Sequence, residues 1–270
     1  MISPTDLTTE YAPNPINIDT RQPRFGWLLQ SDHRDQSQSA YQVLVATSAE
    51  NLQTGRADKW DSGKVPSDRS VNVPYAGNSL SSDENCYWQV RVWDQDDRAS
   101  AYSEPSAFSM GLLDESDWTG TWIGAPTDVA SPLLRTEFDL ANPVSRAHLH
   151  ISGLGWYELY LNGQRVADHV LDPATSDYTQ RILYVTYDVT ELLQAGANAV
   201  GELLPVFVHQ QRRAYDAGEN HHVAVNGHAE VYDLSCHRFF HLSVNLWVGR
   251  CRAFARLDLG CPAAGFASGP

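Results

Sequence analysis

Polar and apolar residues alternate with a period of two in several short runs of the first 200 positions, separated by turns rich in Gly, Pro, Asn and Asp. That period sends successive side chains to opposite faces of a strand. The clearest run, Tyr87 to Asp94 (YWQVRVWD), puts Trp88, Val90 and Val92 on one face and Tyr87, Gln89, Arg91 and Trp93 on the other. Pro23 to Leu29 and Ala40 to Thr47 read as earlier strands, the latter with Tyr41, Val43 and Val45 on one face. Asn51 to Ala57 reads as a short turn or helix, and Trp60 to Val65 as a strand ending in a turn. Val71 to Val73, beside Pro74, reads as an edge strand, and Ala107 to Leu112 closes the set. Short strands at regular spacing with polar turns predict a β-sandwich of the fibronectin type III or immunoglobulin-like kind over residues 5–113.

The pattern breaks over residues 114–132, a linker whose Trp118 and Trp122 read as packing residues; a sugar platform is the alternative. Alternation resumes in Leu133 to Leu140 and Val144 to Ile151. His148 and His150 share a strand face, but no third ligand stands at a recognisable spacing. They are read as exposed sheet-face histidines, and no metal or other cofactor is expected. Trp156 to Leu161 then places Trp156, Glu158 and Tyr160 on one face and Tyr157, Leu159 and Leu161 on the other. Asn162-Gly163 tolerates positive φ at both positions, which predicts a two-residue hairpin returning through Gln164, Arg165 and Val166. A Pro-containing loop (Asp172 to Asp177), a strand (Arg181 to Val189), a helical turn at Thr190 to Leu193 and a strand from Asn198 follow. Residues 133–200 therefore read as a second antiparallel sandwich, and the fold class as all-β.

Charge and cysteine change this picture in two ways. The formal net charge is -14, so nucleic acid and anionic membranes are not expected as partners. No run reaches the ~18 apolar residues of a membrane span. The first residues, MISPTDLTTE, lack a basic start and an apolar centre, and the four Cys show no CxxC spacing, so a reduced, cytoplasmic setting is expected. Composition shifts at Gly201: the last 70 residues hold six of the ten His, three of the four Cys and no Lys. That segment, 201–270, is expected to be an irregular tail. His221, His222, His228, Cys236, His237 and His241 lack the regular spacing of a zinc site.

The segments PRFGWLLQSD, QSAYQVLVATS, WDSGKVPSDRS, YWQVRVWD, FSMGLL and DWTGTWIG, then GLGWYELYLNG, RILYVTYDVT and LLQAGAN, occur in that order. As an ordered set they resemble the fibronectin-like domain, linker and N-terminal jelly-roll domain of bacterial α-L-rhamnosidases, over residues 5 to 200. Past Gly201-Glu202-Leu203-Leu204-Pro205 the resemblance ends, which points to a shifted reading frame, with a native divergent tail as the alternative. The resemblance implies a parent enzyme that removes terminal α-L-rhamnose with inversion, using two carboxyls of an (α/α) barrel C-terminal to these domains. Inversion needs an acid and a base ~6.5–9.5 Å apart. This chain is expected to be the truncated, non-catalytic N-terminal part. Asp172, Asp177, Asp188 and Glu191 read as turn-formers or caps, and no catalytic residue is assigned.

A neutral rhamnose-containing glycan is the expected partner. Sugar binding by a sandwich needs an exposed aromatic face with a few fixed polar groups. The candidates are Trp156, Tyr157, Asn162, Asp177, Tyr178 and Arg181, with Tyr184 beside them. The competing reading buries these aromatics between sheets, leaves Asn162 as a turn residue and makes Asp177 and Arg181 a loop-closing pair. A stand-alone carbohydrate-binding module and a structural spacer are the alternative functions.

Overall fold

In the computed structural model, which describes residues 2–118, 122–123, 133–153, 155–178, 180–203, 240–248 and 251–254, the alternating runs become antiparallel strands. The chain divides into two units, Met1–Asp117 and Trp118–Pro270. The first contains β1 (Ser3–Thr9), β2 (Arg24–Gln30), β3 (Gln38–Ala46), helix α1 (Ala49–Gln53), β4 (Trp60–Asp61), β5 (Val65–Pro66), β6 (Val73–Pro74), β7 (Asn85–Asp94) and β8 (Ser106–Ser109). One sheet has the order β1-β2-β6; the other has β4-β3-β7-β8, with β5 also on β3.

Phe25 shows why the two sheets close on each other. Its ring lies 4.4 Å from Trp88, 5.8 Å from Phe108, 6.3 Å from Trp60 and 6.4 Å from Tyr75, centroid to centroid. Val43, Val45, Val90, Val92 and Met110 fill the space around it. Each such aromatic removes ~150–250 Å² from water, so this cluster carries most of the driving force for the unit. Trp27 is buried too, and its indole N–H donates to Gln38 Oε1 at 3.0 Å. The Gln38 amide in turn donates to the carbonyls of Ser67 and Arg69, so the polar end of the indole is satisfied inside the core.

Sequence and structure differ here in three places. The strand expected over Trp60 to Val65 is two short strands, β4 and β5, because Gly63 at φ 61° bends the chain between them. The turn or helix expected at Asn51 to Ala57 is α1, which starts earlier because the Ser48 hydroxyl accepts from the Asn51 N–H at 3.1 Å. Strand β1 was not foreseen: its register slips between Thr5 and Thr8, and Leu7 is its one large apolar residue, so no alternation marks it.

The second unit contains β9 (Trp122–Ile123), β10 (Leu133–Leu140), β11 (Arg146–Gly153), β12 (Glu158–Leu161), β13 (Gln164–Arg165), β14 (Tyr184–Asp188), β15 (Gly196–Leu203), β16 (Phe240–Val248) and β17 (Cys251–Phe254). Its sheets run β10-β15-β12-β13 and β14-β11-β16-β17, with β9 on β16. Leu149 and Ile151 of one sheet and Leu159, Leu161 and Val200 of the other share one core. The architecture is a second sandwich of the jelly-roll kind, and the chain is all-β as expected. Within the segment expected to be irregular after residue 201, β16 and β17 are strands. The run FHLSVNLWV alternates with period two, and all eight residues from Arg146 to Gly153 find partners on it. The expected linker falls mostly outside the described residues.

His148 and His150 are not exposed, as their shared face had suggested; they are 3% and 0% exposed. β11 lies between β14 and β16, and every residue from Ala147 to Gly153 is buried, so both of its faces are covered. His150 Nδ1 sits 2.7 Å from Thr186 Oγ1 on the neighbouring strand.

Asp94, at the end of β7, is fully buried and serves the following turn. Its carboxylate accepts from the N–H groups of Asp96 and Arg98 at 2.9 and 3.0 Å and from Arg98 Nε at 2.9 Å. The Arg98 N–H foremost, with the Arg98 side chain, holds its pKa below the ordinary value against the opposing effect of burial. A carboxyl whose folded pKa lies below its unfolded value of about 3.9 contributes stability above that value and loses it as pH falls through the folded pKa. Asp94→Asn is therefore expected to destabilise Met1–Asp117 at pH 7. In urea unfolding at pH 7 and at pH 2, the wild type should lose more stability on acidification than the variant; equal losses would contradict this role.

Candidate functional site

The hairpin joining β12 to β13 is built as its sequence dictates. Tyr160 pairs with Arg165 and Leu161 with Gln164, leaving Asn162 and Gly163 as the two-residue loop at φ 51° and 80°. The Asn162 carboxamide does more than tolerate this geometry. Its Nδ2 donates to the Leu192 carbonyl and to Asn198 Oδ1, both at 2.8 Å, and its Oδ1 accepts from the Ala199 N–H at 2.8 Å. Asn198, itself buried, donates to the carbonyls of Gln194 and Gly196 and accepts from the Gln194 N–H. Both donors of Asn162 are thus spent on the fold, which makes it a turn and clasp residue.

Tyr157 is likewise removed from the surface. It is 4% exposed and packs in the core with Leu159 and Leu161, the two residues that share its face. Its N–H donates to the Asp172 carbonyl at 3.0 Å. The Tyr187 hydroxyl donates to Asp172 Oδ2 at 2.7 Å, and His169 Nδ1 lies 2.9 Å from the same oxygen. Burial foremost pushes the Tyr187 phenol well above its ordinary pKa, so it remains a donor. Arg165 Nη2 donates to the His169 carbonyl at 2.9 Å, and the Tyr160 hydroxyl to Glu158 Oε2 at 2.9 Å. That hydrogen bond is also what raises the Tyr160 phenol. Together these groups tie the loop from Ala167 to Pro173 onto the sheet.

The remaining candidates stay accessible. Trp156 and Tyr178 are half-buried, and Asp177 and Arg181 are exposed. A single turn gathers three of them: the Asp177 carbonyl accepts from the N–H groups of Gln180 and Arg181 at 2.9 and 2.8 Å, and Ser176 Oγ donates to the Arg181 carbonyl at 2.6 Å. Tyr184 is occupied differently, edge-on to Trp118 at 5.0 Å and to His150 at 6.0 Å. Trp118 therefore packs within its own unit; the Trp122 side chain lies outside the described residues.

The carboxyls of the described residues bear on what this surface can do chemically. A general acid needs a carboxyl whose pKa is raised. Glu10, Asp58 and Asp94 are instead displaced downward. Arg24 lowers Glu10 by hydrogen bonding, Arg98 lowers Asp94, and in Asp58 burial, the largest single influence, is outweighed by the hydrogen bonds of Thr47, Asn51 and the backbone together. In the second unit Glu158 accepts from Tyr160, Asp172 from Tyr187, and Asp188 from the N–H and hydroxyl of Thr190. No described helix is long and apolar enough to cross a membrane.

Residues 4–114 match the family described as Rha78A-like, N-terminal immunoglobulin domain, and residues 142–237 match the alpha-L-rhamnosidase N-terminal domain. The second match runs past Val200, where the sequence resemblance had seemed to stop. An α-L-rhamnosidase of Formosa agariphila is 40% identical over 216 residues, covering 71% of this chain and 23% of the relative. The structure of α-L-rhamnosidase from Dictyoglumus thermophilum is similar at a TM-score of 0.74 and 34% identity, over 90% of this chain and 27% of the other. That of Aspergillus terreus α-L-rhamnosidase has the same fold at a TM-score of 0.74 and 24% identity, over 96% and 29%. The chain thus spans about a quarter of the length of the proteins it matches.

The Asn162 clasp yields a separable expectation. Asn162→Gly keeps the backbone conformation and loses three hydrogen bonds, which should cost the second unit about 1–3 kcal/mol. Asn162→Ala should cost roughly 0.5–1 kcal/mol more, because it also strains φ. Hydrogen exchange at the amides of β12 and β15 reads both; equal protection in wild type and Asn162→Gly would contradict the clasp.

Proposed function

Because this chain carries, in order, the N-terminal immunoglobulin-like domain and the N-terminal domain of the α-L-rhamnosidase family, we propose that it serves as the non-catalytic β-portion of a rhamnoside-processing enzyme. The pair of domains in family order supports this most directly. The activity we assign to the enzyme as a whole is release of terminal α-L-rhamnose from glycosides or polysaccharides. The role we assign to this portion is to offer the sugar a binding face made by Trp156, just before β12, with Asp177, Tyr178 and Arg181 of the turn that follows the anchored loop. A neutral glycan suits a chain of net charge -14 better than a polyanion does. The engaged carboxylates of the second unit support a binding role over a hydrolytic one.

The purified chain is expected to release no aryl alcohol from an aryl α-L-rhamnoside; turnover would overturn the non-catalytic reading. Titration with methyl α-L-rhamnopyranoside should shift the amides around Ser176 to Arg181. Trp156→Ala should weaken that response by about tenfold, or about 1.4 kcal/mol. An unchanged response would remove Trp156 from the face.

A further inference from the structure

The first unit contains a second hairpin turn, and it breaks the rule that the Asn162-Gly163 turn obeys. Thr9 and Ala12 exchange both backbone hydrogen bonds, at 3.0 and 3.1 Å, so Glu10 and Tyr11 are the two central residues. Both have positive φ, 47° and 68°. Asn, Asp and Gly normally fill such positions. A tyrosine there is a steric outlier, and strained residues of this kind concentrate at functional sites.

The strain holds an aromatic ring open to solvent in one fixed pose. Tyr11 is 67% exposed. Its hydroxyl donates to Asn72 Oδ1 at 2.7 Å, and the Arg24 guanidinium lies over one face of the ring, 5.0 Å from its centroid, which leaves the opposite face to solvent. Glu10 fixes that guanidinium through Arg24 Nε at 3.0 Å and Arg24 Nη2 at 2.5 Å, and it also accepts from the Arg24 N–H at 2.7 Å. The Arg24 hydrogen bonds keep the Glu10 carboxyl below its ordinary pKa and therefore ionised. Arg24 Nη1 and Asn72 Nδ2 are not engaged by these bonds, and Asn72 itself sits at φ 54°. An immobilised aromatic ring bordered by spare donors is the arrangement a pyranose needs. The apolar C–H face of the sugar stacks on the ring face opposite Arg24, and its hydroxyls accept from Asn72 Nδ2 at the ring's edge, while Arg24 backs the ring from behind.

We propose that Tyr11, Arg24, Glu10 and Asn72 form a carbohydrate-binding site for a neutral pyranose ring in the first unit, separate from the Trp156 face. The neutral class follows from the site itself, where the Glu10 and Arg24 charges cancel. Rhamnose as a probe rests on the function proposed above, so a second sugar is included.

The test titrates the full chain with methyl α-L-rhamnopyranoside and, separately, methyl β-D-glucopyranoside at millimolar concentrations, reading backbone amide shifts. Saturable shifts at Tyr11, Ala12, Arg24 and Asn72 with either sugar are expected. Tyr11→Gly should reduce that response at least tenfold while leaving the melting temperature of the unit unchanged or raised, because glycine relieves the strain. Trp156→Ala should leave the response intact. Shifts confined to residues 156–181 would overturn this site while sparing the function proposed above. The absence of shifts at residues 10–12, 24 and 72 with both sugars, or a Tyr11→Gly variant that binds normally, would also overturn it.

Discussion

The second unit depends on one side-chain amide. Asn162 joins three pieces of chain that are distant in sequence: the β12–β13 turn, the carbonyl of Leu192 and the β15 strand at Ala199. β15 in turn pairs with β10 on one side and β12 on the other. Fixing the turn therefore fixes the register of three strands, and a one-residue slip would turn Tyr157, Leu159 and Leu161 out of the core. Asn serves here because one side chain must accept a left-handed backbone and also supply two donors and an acceptor. Asn198 repeats the device one strand away, saturating the carbonyls of Gln194 and Gly196.

Much of this was legible because it is local. The Asn-Gly hairpin, the β7 faces and the edge position of β6 with its Pro74 follow from residues within a few positions of each other. What was not legible is what each face meets. Alternation put His148 and His150 on one side of β11 but carried no sign that this side is covered. Flanking strands β14 and β16, about 40 and 90 residues further along, make β11 central in its sheet, and the cover on each face comes from what packs over that sheet, neither of which local alternation records. Tyr157 is a different case: its period-two partners are Leu159 and Leu161, so its burial could be read from the strand itself. The aromatic identity that made it a sugar candidate is equally what fills a core. Strand β1 lacked any pattern, since its pairing with β2 is carried by backbone hydrogen bonds across a bulge.

The same hydrogen-bond economy shapes the chemistry. Glycoside cleavage needs carboxyls kept from their own protein's donors, one held neutral and one aimed at water. Here Glu158, Asp172 and Asp188 spend their oxygens on Tyr160, Tyr187 and Thr190, and Asp94 spends its own on the turn after β7. Carboxylates engaged this way shape loops.

Placed side by side, the two mirror-image hairpins separate structural from functional use of one backbone geometry. At Asn162-Gly163 the residues are those the turn prefers, and the asparagine bonds inward. At Glu10-Tyr11 each residue gives up roughly 1–2 kcal/mol by adopting a left-handed conformation, and the tyrosine ring faces water. The Glu10–Arg24 pair is half exposed on the arginine side, and such pairs return only about 0–1 kcal/mol. The Tyr11–Asn72 hydrogen bond is equally exposed and weak. The Arg24 N–H also donates to Glu10 and its guanidinium stacks on the ring, so the contacts offset part of the strain and fix the pose of the ring. Asn and Gly would suit the backbone of this turn and leave nothing projecting from it. A constraint that costs stability and yields a rigid, open aromatic ring is explained by what the ring meets outside the chain.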